Sequence, residues 1–236
     1  MDRVLGAITG RLLEKGVHVL ALEKDKTFVE ILKKEYEGFG EAFEVLEGDA
    51  LKVDLKKELS CRGKGRWKFI SNLPYYITTP ILMNIFEHST LFSRAVCMMQ
   101  KEVADRFVAK PSTKDYGRLT LAADYFAETR FLFEVSRGCF TPKPAVASSV
   151  LAFDFKEELA LDIQEQRFLF KVIKLGFSQR RKMFIKLLTE GLPALSRALL
   201  EEIFTDLGWE KNLRGESLSL EDYQRLCEKL LTHLEA

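Results

Sequence analysis

Three short apolar runs, each closed by a polar side chain, limit what this chain can fold into. Residues 17–22 (VHVLAL), 43–46 (FEVL) and 67–70 (WKFI) are too short for core helices and have the character of strands buried in a parallel sheet. The first stops at Glu23, the second at Glu47-Gly48-Asp49 and the third at Ser71-Asn72. Ahead of them, Ile8, Leu12 and Leu13 fit a short helix that stops at Gly16. Between the first two runs, Phe28, Ile31, Leu32 and Tyr36 share a helical face behind Asp25, a residue type that caps helices. Strand, acid, helix, and again strand and acid, is the rhythm of a sheet with helices on both faces and ligands at the carboxyl ends of its strands. An acid at the end of a second strand commonly bonds ribose hydroxyls. An acid or amide one strand further along can read an adenine edge through its exocyclic amine. Each of Glu23, Asp49 and Asn72 alone is more simply a helix cap or a solvated loop residue. Three in register at one sheet edge weigh the other way.

The third run opens into Ser71-Asn72-Leu73-Pro74-Tyr75-Tyr76, followed by Thr78-Thr79-Pro80, which predicts a helix with proline at its first position. Asn72 offers a carbonyl acceptor and an amide donor. Pro74 fixes the backbone and leaves its own carbonyl free to accept. Tyr75 adds a flat ring with a polar tip. Two acceptors and a ring suit an exocyclic amino group on a base taken out of its stack. The plainer alternative is a strand-to-helix turn in which Asn and Pro serve geometry alone.

Beyond this point the pattern predicts a helix over 80–88, ending at His88, and a strand over 95–100. Helices over 101–110 and 116–125 follow, then strands over 130–135 and 149–155, most simply an antiparallel pair at one sheet edge. Between those strands, Pro142 and Pro144 stiffen a loop that presents Phe140, a residue that alone reads as a core plug. From residue 156 onward the chain reads as helical, with helices over 166–177, 195–207 and 218–234 and another opened by Ser178 as its cap. The acidic stretch 157–165 suggests a boundary near 156. From Arg167 to Lys186 every charged residue is basic: Arg167, Lys171, Lys174, Arg180, Arg181, Lys182 and Lys186. In a chain of net charge +1 such a run is often a solvated face, but unbalanced it suits contact with phosphates. Four scattered cysteines without a Cys-x-x-Cys pair argue against structural zinc or a disulfide framework. With no membrane-length apolar run and no signal peptide, a soluble intracellular protein is expected.

A set of these segments also carries a family resemblance. Leu22-Glu23, Glu47-Gly48-Asp49-Ala50, Asn72-Leu73-Pro74-Tyr75-Tyr76-Ile77, Gln100-Lys101-Glu102-Val103-Ala104, Tyr116-Gly117-Arg118-Leu119-Thr120, Phe140-Thr141-Pro142-Lys143-Pro144 and Phe177-Ser178-Gln179-Arg180-Arg181-Lys182 occur in order. The chain thereby resembles the ribosomal RNA adenine dimethyltransferases from about Gly6 to its last helix. The resemblance implies a Rossmann-like α/β methyltransferase sheet over 1–155 and a small helical rRNA-contacting domain over 156–236. It implies S-adenosylmethionine as methyl donor, no metal, and dimethylation of N6 on two adjacent adenosines near the 3′ end of small-subunit rRNA. It implies a monomer working in the cytoplasm on a pre-ribosomal, 30S-type particle. By position, Glu23 would bond the donor's ribose, Asp49 its adenine amine, and Gly6 would belong to the donor-binding glycine loop. Asn72 would lie between donor and target, its side chain and the Pro74 carbonyl accepting from the target N6, with Tyr75 and Phe140 sandwiching the base. Lys174, Arg180, Arg181 and Lys182 would contact RNA.

The sequence departs from the family pattern in two places. Leu5-Gly6-Ala7-Ile8-Thr9 matches only the tail of the glycine loop and the helix after it, and residues 1–4 match nothing, so the sheet is expected to lack its first strand. Ala145-Val146-Ala147 stands where the family usually carries Lys-Val-Asp. Two other readings stay open: a large-subunit rRNA adenine methyltransferase of the antibiotic-resistance type, and a non-catalytic RNA-binding homologue acting in ribosome assembly.

Overall fold

A computed structural model describes residues 6–63 and 65–234. The expected loss of a first strand rests on residues 1–4, which lie outside the described residues. The chain divides into two compact units, Met1–Lys64 and Gly65–Ala236.

In the first unit α1 (Ala7–Leu13), β1 (Val19–Glu23), α2 (Lys26–Glu35), β2 (Phe43–Glu47) and α3 (Leu55–Ser60) follow one another. β1 and β2 pair in parallel from Val19↔Phe43 to Glu23↔Glu47, so both strand ends finish on a carboxylate. Asp25 caps α2 as expected, accepting from the Thr27 and Phe28 N–H groups. The buried face of α2 differs from the sequence reading. Val29, Leu32 and Tyr36 are buried, while Phe28 and Ile31 stay exposed. At 100° per residue 29, 32 and 36 form one stripe and 28 and 31 fall on its flanks. Leu13, Leu32 and Tyr36 pack against Val19, Phe43 and Val45 to make the core of this unit.

The second unit holds β3 (Trp67–Asn72), α4 (Thr78–Glu87), β4 (Phe92–Gln100), α5 (Lys101–Phe107), α6 (Arg118–Phe126), β5 (Ala127–Val135) and β6 (Ser148–Phe155). Four helices complete it: α7 (Ile163–Gly176), α8 (Phe184–Gly191), α9 (Arg197–Asp206) and α10 (Leu220–Leu234). The strand order is β3-β4-β6-β5, with β3 parallel to β4 and β6 antiparallel to both its neighbours. The antiparallel edge pair read from sequence is therefore β5 and β6. Burial follows position: Ala95, Cys97 and Met99 on β4 are fully buried, whereas Phe131 and Phe133 on the edge strand β5 are about half exposed. Phe86 of α4 anchors the sheet's helical cover, its ring 5.3 Å from Phe153 and 6.0 Å from Phe107. Pro80 sits third in α4 rather than first, a position whose N–H has no helical partner either.

The later helices are fastened to the same unit by two tyrosines. The Tyr116 hydroxyl, buried just before α6, donates to the Leu218 carbonyl at 2.6 Å, ahead of α10. Tyr223 of α10 donates to the Gly215 carbonyl at 3.1 Å and lies against Gly176, where an added Cβ would fall on its hydroxyl and stand 3.2 Å from the Phe184 ring. The helix expected to open at Ser178 begins instead at Phe184. Ser178 donates its hydroxyl to the Leu175 carbonyl at 2.7 Å and so helps close α7.

Gly176→Ala is expected to lower the stability of the second unit by about 1–3 kcal/mol through overpacking. Gly38→Ala, where a Cβ meets nothing within 4 Å, serves as the near-neutral control. Urea unfolding of both variants checks this.

Candidate active site

The loop after β3 is set by where the β3–β4 ladder stops. Asn72 is the last residue paired, opposite Met98, and the Leu73 N–H adds one more bond to the Met98 carbonyl at 3.0 Å. Leu73 then turns inward and is 2% exposed, leaving Asn72 and Pro74 on the surface on either side of it. Among the described residues no hydrogen bond engages the Asn72 side chain, so its carbonyl is available to a ligand amine. Pro74 differs from the sequence reading. Its carbonyl is not free, because it accepts from the Ile77 N–H at 3.1 Å and the Thr78 hydroxyl at 3.0 Å, both at the start of α4. The helix's first donors thus take up the acceptor that the tetrapeptide alone left open.

Tyr75 is half-buried, and its hydroxyl lies 2.7 Å from the Ser148 hydroxyl at the first position of β6. The loop leading into β6 carries Phe140, Pro142 and Pro144. These three residues line, with Asn72, Leu73, Pro74 and Tyr75, one open cavity of about 300 Å³. The structure therefore brings together the four residues Asn72, Pro74, Tyr75 and Phe140 from stretches 65 residues apart at the nearest, between Tyr75 and Phe140. Phe140 is half-buried in the wall of the cavity rather than sunk in the core. Ser148 was not among the residues singled out in the sequence; a serine opening a strand carries no signal without the contact.

The candidate donor-binding residues lie in the first unit. The Glu23 carboxylate accepts from the Lys24 and Asp25 N–H groups at 2.7 and 2.8 Å through one oxygen, leaving the other for a ligand. Asp49, after β2, accepts from the Leu51 N–H at 3.0 Å and from the Lys24 ammonium at 3.0 Å. Those two contacts, the backbone one first, hold its carboxyl below the usual aspartate range. Gly6 begins α1 at φ +72°, and its carbonyl accepts from the Tyr36 hydroxyl at 2.8 Å. A Cβ there would lie 2.6 Å from that hydroxyl, so both the backbone and the space require glycine.

The four candidate RNA contacts separate into two kinds. Arg180 is committed within the fold: its guanidinium donates to the Lys114 carbonyl at 2.7 Å and to the Tyr116 carbonyl, and lies over the Phe177 ring. Lys182 is paired to Glu190 at 2.6 Å. Arg181 and Lys174 are exposed, and among the described residues the side chain of neither has an ion pair or hydrogen bond. The Tyr116-Gly117-Arg118 and Phe177–Lys182 segments, far apart in sequence, thus meet through Arg180.

An exocyclic amine on an aromatic ring is a poor nucleophile because its lone pair is delocalised. An amide carbonyl that accepts from that amine favours a more tetrahedral nitrogen, and two rings that hold the base fix its approach, with no strong base required. Asn72, Tyr75 and Phe140, which line one cavity, are of the residue types that such chemistry uses.

Residues 5–232 match the sequence family described as Ribosomal RNA adenine dimethylase. Two proteins named Ribosomal RNA small subunit methyltransferase A are similar over 231 residues. That of Desulfitobacterium hafniense is 39% identical, covering 98% of this chain and 81% of its own length. That of Alkaliphilus oremlandii is 37% identical, covering 98% of this chain and 80% of its own. Among solved structures, a dimethyladenosine transferase from Plasmodium falciparum superposes with a TM-score of 0.81 at 24% identity, over 97% of this chain and 87% of that one. The 23S rRNA methyltransferase ErmE gives 0.68 at 23% identity, over 96% and 87%. At these identities the structural likeness establishes an α/β methyltransferase fold, and the family follows from the sequence matches.

The depressed Asp49 pKa has a sign that can be measured. Its stabilising contribution is complete above the ordinary aspartate value of about 3.9 and is lost as pH falls through the lower folded-state value. In a carboxyl NMR titration Asp49 is expected to show a midpoint below 3.9. Lys24→Met should move it only part of the way back, because the larger Leu51 contribution remains. Full recovery of the ordinary value in the variant contradicts this ranking.

Proposed function

The chain belongs to the ribosomal RNA adenine dimethylase family, and from that premise we propose that it transfers methyl groups to N6 of two adjacent adenosines near the 3′ end of small-subunit rRNA, two to each. The observation that carries this reading is the single cavity lined by Asn72, Pro74, Tyr75 and Phe140. In this reading an unpaired adenine lies between the two rings, with its amine against the Asn72 carbonyl. The Pro74 carbonyl, engaged by the Ile77 N–H and the Thr78 hydroxyl, holds the loop that presents Asn72 and Tyr75.

S-adenosylmethionine supplies an electrophilic methyl group on a sulfonium. The donor set of the first unit fits it: Glu23 keeps one carboxylate oxygen for ribose hydroxyls, and Asp49 stays ionised to accept from an adenine amine. Gly6, the residue that caps α1, completes the proposed donor-binding set.

We take residues 1–155 as the methyltransferase domain and 156–236 as the rRNA-contacting domain, with Arg181 and Lys174 as phosphate contacts. Arg180 and Lys182 shape that surface from within, through the carbonyls and the carboxylate they hold. The large-subunit alternative is disfavoured by the Tyr116-Gly117-Arg118 and Phe177–Lys182 segments, which interlock through Arg180. The enzyme works as a monomer on a pre-ribosomal small-subunit particle in the cytoplasm. Among the described residues no helix is long and apolar enough to cross a membrane.

Asn72→Ala is expected to lower methyl transfer by about 10²-fold or more while RNA affinity stays near that of the parent protein. Primer extension on each rRNA reads the product and its location. Modification of large-subunit rRNA, or full activity in the variant, contradicts the assignment. A second set of variants tests the RNA surface. Arg181→Ala and Lys174→Ala should each reduce the salt dependence of RNA binding by about 0.7 in log–log slope. Arg180→Ala should instead destabilise the fold, with a lower midpoint in thermal unfolding.

A further inference from the structure

Tyr75 stands on a loop, yet its ring has to present one face to a substrate base. The fastening is at the tip of the ring. Its hydroxyl meets Ser148 Oγ at 2.7 Å, and Ser148 is fully buried. Ser148 is itself held on both sides, opposite Gln100 of β4 and Val135 of β5, in the strand that lies between them. The preceding residue is also pinned, since the Ala147 carbonyl accepts from the Lys101 N–H at 2.9 Å. The loop that carries Phe140, Pro142 and Pro144 runs into the sheet at this point. One hydroxyl therefore joins the two rings' supports: Tyr75 through a hydrogen bond, Phe140 through eight residues of chain that end on the same strand.

A tyrosine fixed only at its backbone samples several χ1 wells, and each swings the ring through a large arc. A hydrogen bond from the ring's far end to a strand residue removes that freedom. Resting on the proposed function above, we infer that Ser148 is a positioning residue: its hydroxyl holds the Tyr75 ring in the plane from which it stacks on the target base. The neighbouring Ser149 supplies a control. It is equally buried on the same strand, but its hydroxyl has no partner among the described residues.

The test is a steady-state comparison on small-subunit rRNA substrate of Ser148→Ala, Ser148→Thr, Tyr75→Phe, the Ser148→Ala/Tyr75→Phe double variant and Ser149→Ala, with thermal unfolding of each. Ser148→Ala is expected to lower kcat about tenfold with less than a twofold change in KM, because the misplaced ring loses alignment rather than substrate. Ser148→Thr, which keeps a hydroxyl, should restore most of the rate, and Ser149→Ala should match the parent. Tyr75→Phe removes the same bond from its other end and should cost about the same factor, the double variant no more than either single one. Multiplying losses in the double variant overturn the inference, as does a Ser148→Ala enzyme of parental kcat. Retained transfer in Asn72→Ala would instead bring down the functional reading on which the inference stands, so the two failures are distinguishable.

Discussion

The last backbone bond between β3 and β4, from the Leu73 N–H to the Met98 carbonyl, decides where the chain leaves the sheet and so where its chemistry can be. Pro74 follows and has no N–H to offer, so the ladder cannot continue through it. Leu73 is pulled into the core at the same step, and Asn72 and Pro74 are left outside on either side of it. A polar amide at such a place costs little, because water solvates it until a ligand arrives. Were the pairing of β3 with β4 slipped by one residue, every side chain of β3 would change face. Its position next to a strand end, not its identity alone, makes the tetrapeptide a candidate site.

Much of the fold was legible because short-range patterns have short-range causes. Asp25 caps the helix it precedes, and the alternation in residues 130–135 and 149–155 becomes the antiparallel pair of β5 and β6. The grouping of Asn72, Tyr75 and Phe140 was legible only by way of the family resemblance. What the sequence could not disclose were partners supplied from elsewhere in the fold. Thr78 and Ile77 occupy the Pro74 carbonyl, Ser148 takes the Tyr75 hydroxyl, and Ser178 closes one helix instead of opening the next. Each is an ordinary residue whose role exists only once a distant or neighbouring atom is in place.

The basic run around Arg180 shows why charge alone is a weak guide. Arg180 and Arg181 are adjacent and chemically identical, yet one is bound to two backbone carbonyls and stacked on Phe177 while the other faces solvent. The planar fork of an arginine serves equally to cross-link carbonyls and to hold a phosphate. Here it ties the segment before α6 to the segment after α7, and Tyr116 and Tyr223 reinforce the same region. The exposed basic side chains are thereby presented from a fixed base, which lowers the entropy lost when they order against a ligand.

The central claim is that one cavity holds one unstacked adenine by its two faces and its amine. A crystal structure of the full chain with a short single-stranded oligonucleotide carrying the adjacent adenosines tests it most directly. Adenine between the Tyr75 and Phe140 rings, with N6 within hydrogen-bonding reach of the Asn72 carbonyl, is the required result. A base bound away from that cavity, or one stacked inside it with its amine turned from Asn72, would contradict the claim.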